Sequence, residues 1–136
     1  MNKTYVLDAN AALTFLEDGA GAERVGRLLK EALRDDLPLL MSVLNWGEVF
    51  YHSWQERGEQ AARKAVQDLS GLPIETVPMD MEQSLRAGEI KARYKLPYVD
   101  SAAAALASLR QATLVTSDRD FERLGRHAKV LWITRV

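Results

Sequence analysis

The chain alternates between short apolar runs and longer segments of helical pattern along its whole length, and this alternation constrains the fold more than any other feature. The runs are rich in Val, Ile, Leu and Thr, which favours strands that are buried on both faces. Strands that alternate with helices predict an α/β fold. We therefore expect a three-layer α/β/α domain around a mainly parallel sheet of about four to five strands, at residues 4–7, 39–42, 74–77, 114–116 and 130–133.

Glycine and proline divide the segments between these runs into helices. The apolar spacing predicts helices over 9–16, from 21 to the stop at Pro38, from 43 to about 58, over 59–69 and over 79–94. An alanine-rich helix should follow with Asp100 or Ser101 as its cap, and a short helix should cover 120–124. On the helix that starts at Val43, the stripe of Trp46, Phe50 and Trp54 is expected to be mainly core, with part of it available as a contact surface.

The size and composition of the chain fit one intracellular domain. Its 136 residues predict a single domain over 1–136, and the absence of cysteine excludes disulfides and thiolate metal sites. No apolar stretch has the length of a signal peptide core or a membrane span, so a cytoplasmic protein without membrane contact is expected. A net charge of −1 argues against coating nucleic acid by bulk electrostatics.

Acidic residues follow two of the predicted strands. Asp8 comes directly after the first strand, and Asp118 comes just after the strand at 114–116. With right-handed crossovers both lie at the carboxyl edge of the sheet, where ligands bind in open α/β folds. The helices that carry Glu48 and Asp100 start from the same edge. Each residue alone also has a structural explanation: Asp8, Asp118 and Asp100 can cap helices, and Glu48 can be a solvated side chain.

Four carboxylates at one edge would require a cation, because like charges raise one another's pKa and resist ionisation. Oxygen ligands without histidine or cysteine suit Mg²⁺, with Mn²⁺ as a substitute. Magnesium held by carboxylates typically serves phosphoryl chemistry, in which it activates water. His52 and His127 are expected to have surface roles, and Asp120 can favour the first turn of its helix through the helix dipole.

The segments YVLDANAAL, SVLNWGEVF, LPYVDSAAAALA and LVTSDRDF resemble those of the PIN-domain nucleases, and within them the toxins of VapBC toxin-antitoxin pairs. The resemblance spans essentially the whole chain. It implies a PIN-like fold and a Mg²⁺ or Mn²⁺ site. Its residues in this chain would be Asp8, Glu48, Asp100 and Asp118 as metal-binding and catalytic acids, Asp120 as an occasional contributor, and Thr116 and Ser117 in support.

Two positions depart from that pattern. Asn10 stands where such toxins often have a hydroxyl residue, and it can still support the site by hydrogen bonding. Arg119 stands where many members have proline or a small residue. It can place a cation beside a scissile phosphate or remain a solvated surface side chain.

The resemblance further implies an endoribonuclease that cuts tRNA or rRNA and inhibits translation. It also implies a homodimer and a VapB-like antitoxin, which commonly inserts an arginine into the acidic cluster. Two groups of basic side chains can contact RNA phosphates or form a solvated face. The basic residues are Arg24, Arg27, Lys30, Arg34, Arg86, Lys91, Arg93 and Lys95.

Two alternatives stay open: a PIN-like scaffold that binds RNA or protein without cutting, and a haloacid-dehalogenase-like phosphatase.

Overall fold

A computed structural model describes residues 3–134 and contains a five-stranded sheet in which every strand pair is parallel. The order across the sheet is β3-β2-β1-β4-β5, so β1 lies at the centre. The predicted α/β class and the parallel sheet are confirmed. The strands are β1 (Tyr5–Leu7), β2 (Leu39–Ser42), β3 (Ile74–Val77), β4 (Thr113–Thr116) and β5 (Val130–Trp132).

Helices cover both faces of this sheet, and the alternation of side chains along the strands sorts the core into two layers. Val6 and Leu114 pack with the helices over 81–94 and 98–110. Their neighbours Leu7 and Val115 pack with the helix over 22–35. Alternate residues of a strand therefore belong to different cores, one on each face of the sheet. The helices are α1 (Ala9–Leu16), α2 (Ala22–Asp35), α3 (Val43–Arg57), α4 (Glu59–Ser70), α5 (Met81–Tyr94), α6 (Tyr98–Arg110) and a 3₁₀ helix (Arg119–His127).

The alanine-rich helix α6 is buried on all sides over seven consecutive residues, 101–107. It packs against α5, α3 and strands β1, β2 and β4. Small side chains allow a helix to approach its neighbours closely on every face, which explains the run of alanines. The carboxylate of Asp100, one residue before this buried stretch, is thereby held in a fixed place near the sheet edge.

Two helix starts differ from the sequence prediction by two residues or more. Helix α6 begins at Tyr98 with Pro97 as its N-cap, so the expected caps Asp100 and Ser101 are wrong. Proline presets a backbone conformation that leads into a helix, so the turn forms before the acid is reached. Helix α5 begins at Met81, two residues later than expected, because Asp80 caps it by accepting a hydrogen bond from the Gln83 amide at 2.8 Å.

The aromatic stripe of α3 is only partly core. The buried side chains of this helix are Asn45, Val49 and Ser53, spaced four residues apart, whereas Trp54 is 41% exposed. Phe50 packs edge to face against Trp54, with ring centroids 5.6 Å apart. Trp46 packs against buried residues, so the expected burial holds for part of the stripe, and exposed Trp54 is the part that is available as a contact surface.

Within residues 3–134 no helix is both long enough and apolar enough to span a bilayer.

Candidate active site

Asp8 lies at the carboxyl end of β1, beside the end of the neighbouring strand β4. Parallel pairing aligns Leu7 with Val115, and the Asp8 amide donates to the Val115 carbonyl at 3.4 Å. The buried Asp8 carboxylate accepts hydrogen bonds on both oxygens. Oδ1 accepts from the Ala11 amide at 2.8 Å, and Oδ2 accepts from the Thr116 hydroxyl at 2.6 Å. Asp8 is therefore the N-cap of α1, and its second oxygen is held by Thr116 at the end of β4.

Thr116 links the two aspartates that follow the strands. Its buried Oγ1 donates to Asp8 and accepts from the Asp118 amide at 2.9 Å. Asp118 in turn caps the 3₁₀ helix, since its Oδ1 accepts from the Asp120 amide at 2.9 Å. The capping predicted for Asp8 and Asp118 is thus confirmed. The Thr116 hydroxyl, which bonds to both residues, also keeps them close to one another.

Asn10 joins α1 to the loop that carries Asp118. Its Oδ1 accepts from both the amide and the hydroxyl of Ser117, at 2.9 and 2.7 Å. This side chain occupies the position where the sequence departs from the resembled pattern. The observed hydrogen bonds assign it a bracing role between two segments that are 107 residues apart in sequence.

Glu48 reaches the same edge from α3 and is half-buried, so the solvated alternative is wrong. Burial raises the pKa of its carboxyl, the nearby Asp118 raises it further, and His52 lowers it. Within residues 3–134 its buried Oε1 has no hydrogen-bond partner. A buried carboxylate oxygen without a donor is costly unless a proton, a cation or a ligand satisfies it.

Asp100 enters from the first turn of α6. Burial raises its pKa to about 7, helped by the negative charges of Glu48, Asp118 and Asp120. Burial likewise raises the pKa of Asp8 to about 7; its hydrogen bonds to Thr116 and Ala11 oppose the rise, and the charges of Asp100 and Asp118 add to it. Five carboxylates from four parts of the chain therefore act on one another electrostatically, as the sequence predicts for a shared sheet edge.

The chemistry of these groups fits a hard divalent cation, but only in a loosely coordinated form. Within residues 3–134 no three His, Asp or Glu side chains are arranged to hold one ion directly. Magnesium commonly contacts one or two carboxylates and keeps several waters. The unpartnered Glu48 oxygen and the raised pKa values of Asp8 and Asp100 mark where positive charge would be favourable.

Two residues beside the acids were not singled out from the sequence. Asn45 is fully buried, and its Oδ1 accepts from the Ala9 amide at 3.0 Å, directly after Asp8. Tyr51 is 49% exposed; burial of its hydroxyl raises its pKa, with smaller contributions from Glu48 and Asp100. The one available signal was spacing, because both residues lie one helical turn from Glu48.

Arg119 differs from both of its sequence-based alternatives. Its guanidinium lies over the Trp132 ring, 4.2 Å from the centroid, and donates to the Thr134 carbonyl at 2.7 Å. It therefore anchors the chain after β4 to the chain after β5. A stacked arginine with a backbone acceptor is held in place by the fold, so it is neither freely solvated nor aimed at the acids.

Several of the predicted RNA-contacting cations have partners within the protein. Arg34 pairs with Asp35 at 3.0 Å, and Glu89 pairs with Arg86 and Arg93 at 3.6 and 3.4 Å. Arg24 donates to the Trp132 carbonyl. As expected, His127 is exposed, whereas His52 is half-buried near Glu48.

Residues 5–127 match the sequence model of the PIN domain. The match covers most of the chain and includes Asp8, Glu48, Asp100 and Asp118. The chain therefore belongs to the PIN domain family, the nucleases that its motifs resemble. This membership favours the PIN interpretation over a haloacid-dehalogenase-like phosphatase. A search of curated protein sequences finds no significant match.

Solved structures share the fold at low sequence identity. The DNA-bound VapBC of Salmonella typhimurium is similar with a TM-score of 0.74 and 17% identity, over 97% of this chain and 99% of that chain. VapBC2 of Rickettsia felis, bound to a promoter DNA fragment, gives 0.73 and 16%, over 94% and 97%. VapC20 of Mycobacterium tuberculosis, described as a Sarcin-Ricin loop cleaving toxin, gives 0.65 and 19%, over 90% and 95%.

Proposed function

We propose that this PIN domain is a metal-dependent endoribonuclease and the toxin of a toxin-antitoxin pair. It would hydrolyse phosphodiester bonds in tRNA or rRNA and so inhibit translation in the cytoplasm. The observation that carries the proposal is the mutual electrostatic effect of carboxylates from β1, α3, α6 and the end of β4. Such a costly arrangement is expected at a functional site rather than in a structural core.

Asp8, Glu48, Asp100 and Asp118 would hold Mg²⁺, with Mn²⁺ as its substitute, and some of these acids would act through waters of the ion rather than by direct contact. A divalent ion held there would lower the pKa of water and would stabilise charge on a phosphate oxygen. Around it, Thr116 fixes the direction of the Asp8 carboxylate and the position of the Asp118 backbone. Asn10 and Ser117 brace the loop, so the acids keep their spacing when a phosphate arrives.

The choice of RNA as substrate rests on the resemblance and on the fold shared with a toxin that is described as cleaving the Sarcin-Ricin loop. Exposed Tyr51 supports it, because an aromatic ring at the rim of a nuclease site can stack on an unpaired base. Arg27 and Lys30 lie on the exposed side of α2, where they can contact phosphates.

Two protein partners complete the proposal: a second copy of the chain and a VapB-like antitoxin. The fold is shared with VapBC complexes, and exposed Tyr51 and Trp54 lie on the helix that carries Glu48. We assign the antitoxin to this aromatic surface, because an antitoxin segment lying there could also place a cationic side chain among the acids.

Trp54→Ser should weaken antitoxin binding at least about tenfold with little change in Tm. Met81→Ser, at an exposed position on α5, is the control in calorimetry. Equal affinities for the wild type and Trp54→Ser would contradict the assignment.

The function is tested by incubating the purified chain, free of antitoxin, with total RNA in the presence and absence of Mg²⁺ or Mn²⁺ and sequencing the new ends. Asp8→Asn and Asp118→Asn should each lower cleavage by about 100-fold or more, since each removes a charge at the site. Both should remain folded, because asparagine is also a good N-cap. Asp80→Asn, at the N-cap of α5, is the matched control and should retain activity.

Discrete cuts that require both the metal and Asp8 would support the nuclease and identify its target. If folded protein gives no cuts under any metal condition, the scaffold that binds RNA or protein without cutting becomes the better explanation. Full activity in either Asp→Asn variant would remove that residue from the catalytic group.

A further inference from the structure

Asn45 is an unusual residue for the centre of this fold. It is fully buried on α3, and within residues 3–134 it has one of the few buried side-chain atoms without a hydrogen-bond partner, Nδ2. Burying an amide donor without a partner destabilises the folded state, and an apolar residue of similar size would avoid that cost. A buried donor of this kind is expected to have a hydrogen-bond acceptor nearby.

The orientation of the Asn45 amide is fixed by its neighbour. Ala9 presents a backbone N–H, which can only donate, so Oδ1 must face it; the two atoms are 3.0 Å apart. The hydrogen bond spans 36 residues and holds α3 against the first residue of α1, next to Asp8. Nδ2 is consequently the free end of the amide, and two donor hydrogens remain to be satisfied.

A complementary atom lies on the same helix face. Glu48 follows Asn45 by three residues, a spacing that makes side chains neighbours on a helix. Its Oε1 is also buried without a partner within the described part of the chain. An unpaired donor and an unpaired carboxylate oxygen therefore lie one helical turn apart on α3, and the donor belongs to the side chain that contacts the turn after Asp8.

We propose that Asn45 is a positioning residue of the acidic site: Oδ1 fixes the backbone at Asp8, and Nδ2 supplies the donor that orients the Glu48 carboxylate. The two groups meet by a small side-chain rotation or through one bridging water. Asn45 thereby connects two acids whose backbones are otherwise independent. A hydrogen bond to a carboxylate is stronger than one between neutral groups, so Glu48 is held in one direction. The catalytic relevance of this role rests on the proposed nuclease function.

The donor is tested first in the metal-free wild type by NMR of the Asn45 side-chain amide. Glu48→Gln should shift the Nδ2 proton resonances upfield, because the charged acceptor is lost. Glu56→Gln, an exposed glutamate two turns further along α3, should leave them unchanged. Unchanged Asn45 resonances in Glu48→Gln would overturn the proposal. This measurement needs no Asn45 variant, metal or RNA.

A double-mutant cycle then separates positioning from ordinary packing. Asn45→Leu removes both polar contacts and should lower Tm, but by distinctly less in the Glu48→Gln background than in the wild type. Equal losses in the two backgrounds would mean that Asn45 serves only Ala9 and would contradict the role toward Glu48. If Asn45→Leu does not fold, Asn45→Ala is compared in the same two backgrounds.

The functional consequence is measured last. Asn45→Leu should weaken Mg²⁺ binding by about 10- to 100-fold in calorimetry and lower kcat for RNA cleavage more than it raises KM. Ser53→Ala, at a buried position on the same row of α3, should change neither quantity. If the wild type cleaves no RNA while the NMR shift and the coupling are observed, the nuclease function fails and the positioning role stands.

Discussion

At the scale of single residues, each polar side chain of the site performs two tasks. Asp8 caps α1 with one oxygen and receives Thr116 on the other, and Asp118 caps the 3₁₀ helix with Oδ1. A cap fixes its side chain to within a rotamer, because the backbone amides it accepts from are themselves fixed. The capping explanation and the functional explanation of these residues are therefore compatible, and the cap supplies the rigidity that a site requires.

Thr116→Val tests how Asp8 is kept ionisable. Valine preserves the shape and removes the hydroxyl that lowers the pKa of Asp8 and accepts from the Asp118 amide. Losing a hydrogen bond to a charged group should raise the pKa of Asp8 above about 7, by about one pH unit or more, and reduce cleavage at neutral pH. The measurement is an NMR titration of the Asp8 carboxyl carbon in metal-free protein.

Thr113→Val is the control, because Thr113 is half-buried at the other end of β4. It should leave the Asp8 titration unchanged. An unaltered Asp8 pKa in Thr116→Val would show that the hydroxyl does not stabilise the carboxylate.

At the scale of elements, the turn between α1 and α2 depends on one glycine. Gly21 has φ of 100°, and a Cβ there would lie 2.7 Å from the carbonyl oxygen of Ile133. Gly21→Ala should therefore destabilise the protein by about 2 kcal/mol or more, since it adds backbone strain to a clash with backbone. Gly88→Ala, within α5 and with open space around it, should instead stabilise by about 0.5–1 kcal/mol. Thermal unfolding of both variants checks the prediction, and equal Tm values would contradict it.

The elements themselves were largely predictable because their signals are local. Helix α1 and strands β2 and β3 have the bounds that the pattern predicts, and the parallel sheet follows from the alternation. Asp8 and Asp118 could be placed because a strand end and a cap are each written within a few residues. The start of α6 was misplaced since Pro97 and Asp100 compete to begin the helix, and the sequence does not rank them.

Features that depend on distant segments could not be read from the chain. The burial of Asn45 arises from the approach of α1, 36 residues earlier in sequence; its spacing from Glu48 places it near the acids but does not predict that it is buried. Arg119 lies over Trp132 because β5 pairs with β4, so its environment follows from the finished sheet. The exposure of Trp54 likewise depends on which face of α3 packs inward, since the buried row is Asn45, Val49 and Ser53 rather than the aromatic residues.

At the scale of the whole molecule, the acidic site should make stability depend on pH and metal. The pKa of Asp8 in the folded protein is about 7, whereas the ordinary pKa of an aspartate side chain is 3.8. Between these values the folded state holds more protons than the unfolded state, so the free energy of unfolding falls as pH rises and levels off above about 7. For Asp8 the loss is at most about 4 kcal/mol, because one pKa unit corresponds to about 1.36 kcal/mol. Asp100, whose pKa is also raised to about 7, should change stability in the same direction.

Metal-free protein should therefore have a Tm several degrees lower at pH 8 than at pH 5.5. Asp100→Asn should reduce this difference, because it removes one of the interacting charges. Millimolar Mg²⁺ at pH 8 should raise the Tm of the wild type, since an ion that binds only the folded state stabilises it by mass action. Asp68→Asn, which removes an exposed acid of α4 paired with Lys64, should leave the pH dependence unchanged. A metal-free Tm that is higher at pH 8 than at pH 5.5 would contradict the prediction, because it would mean that burial and mutual repulsion do not raise the pKa values of Asp8 and Asp100 in the folded protein.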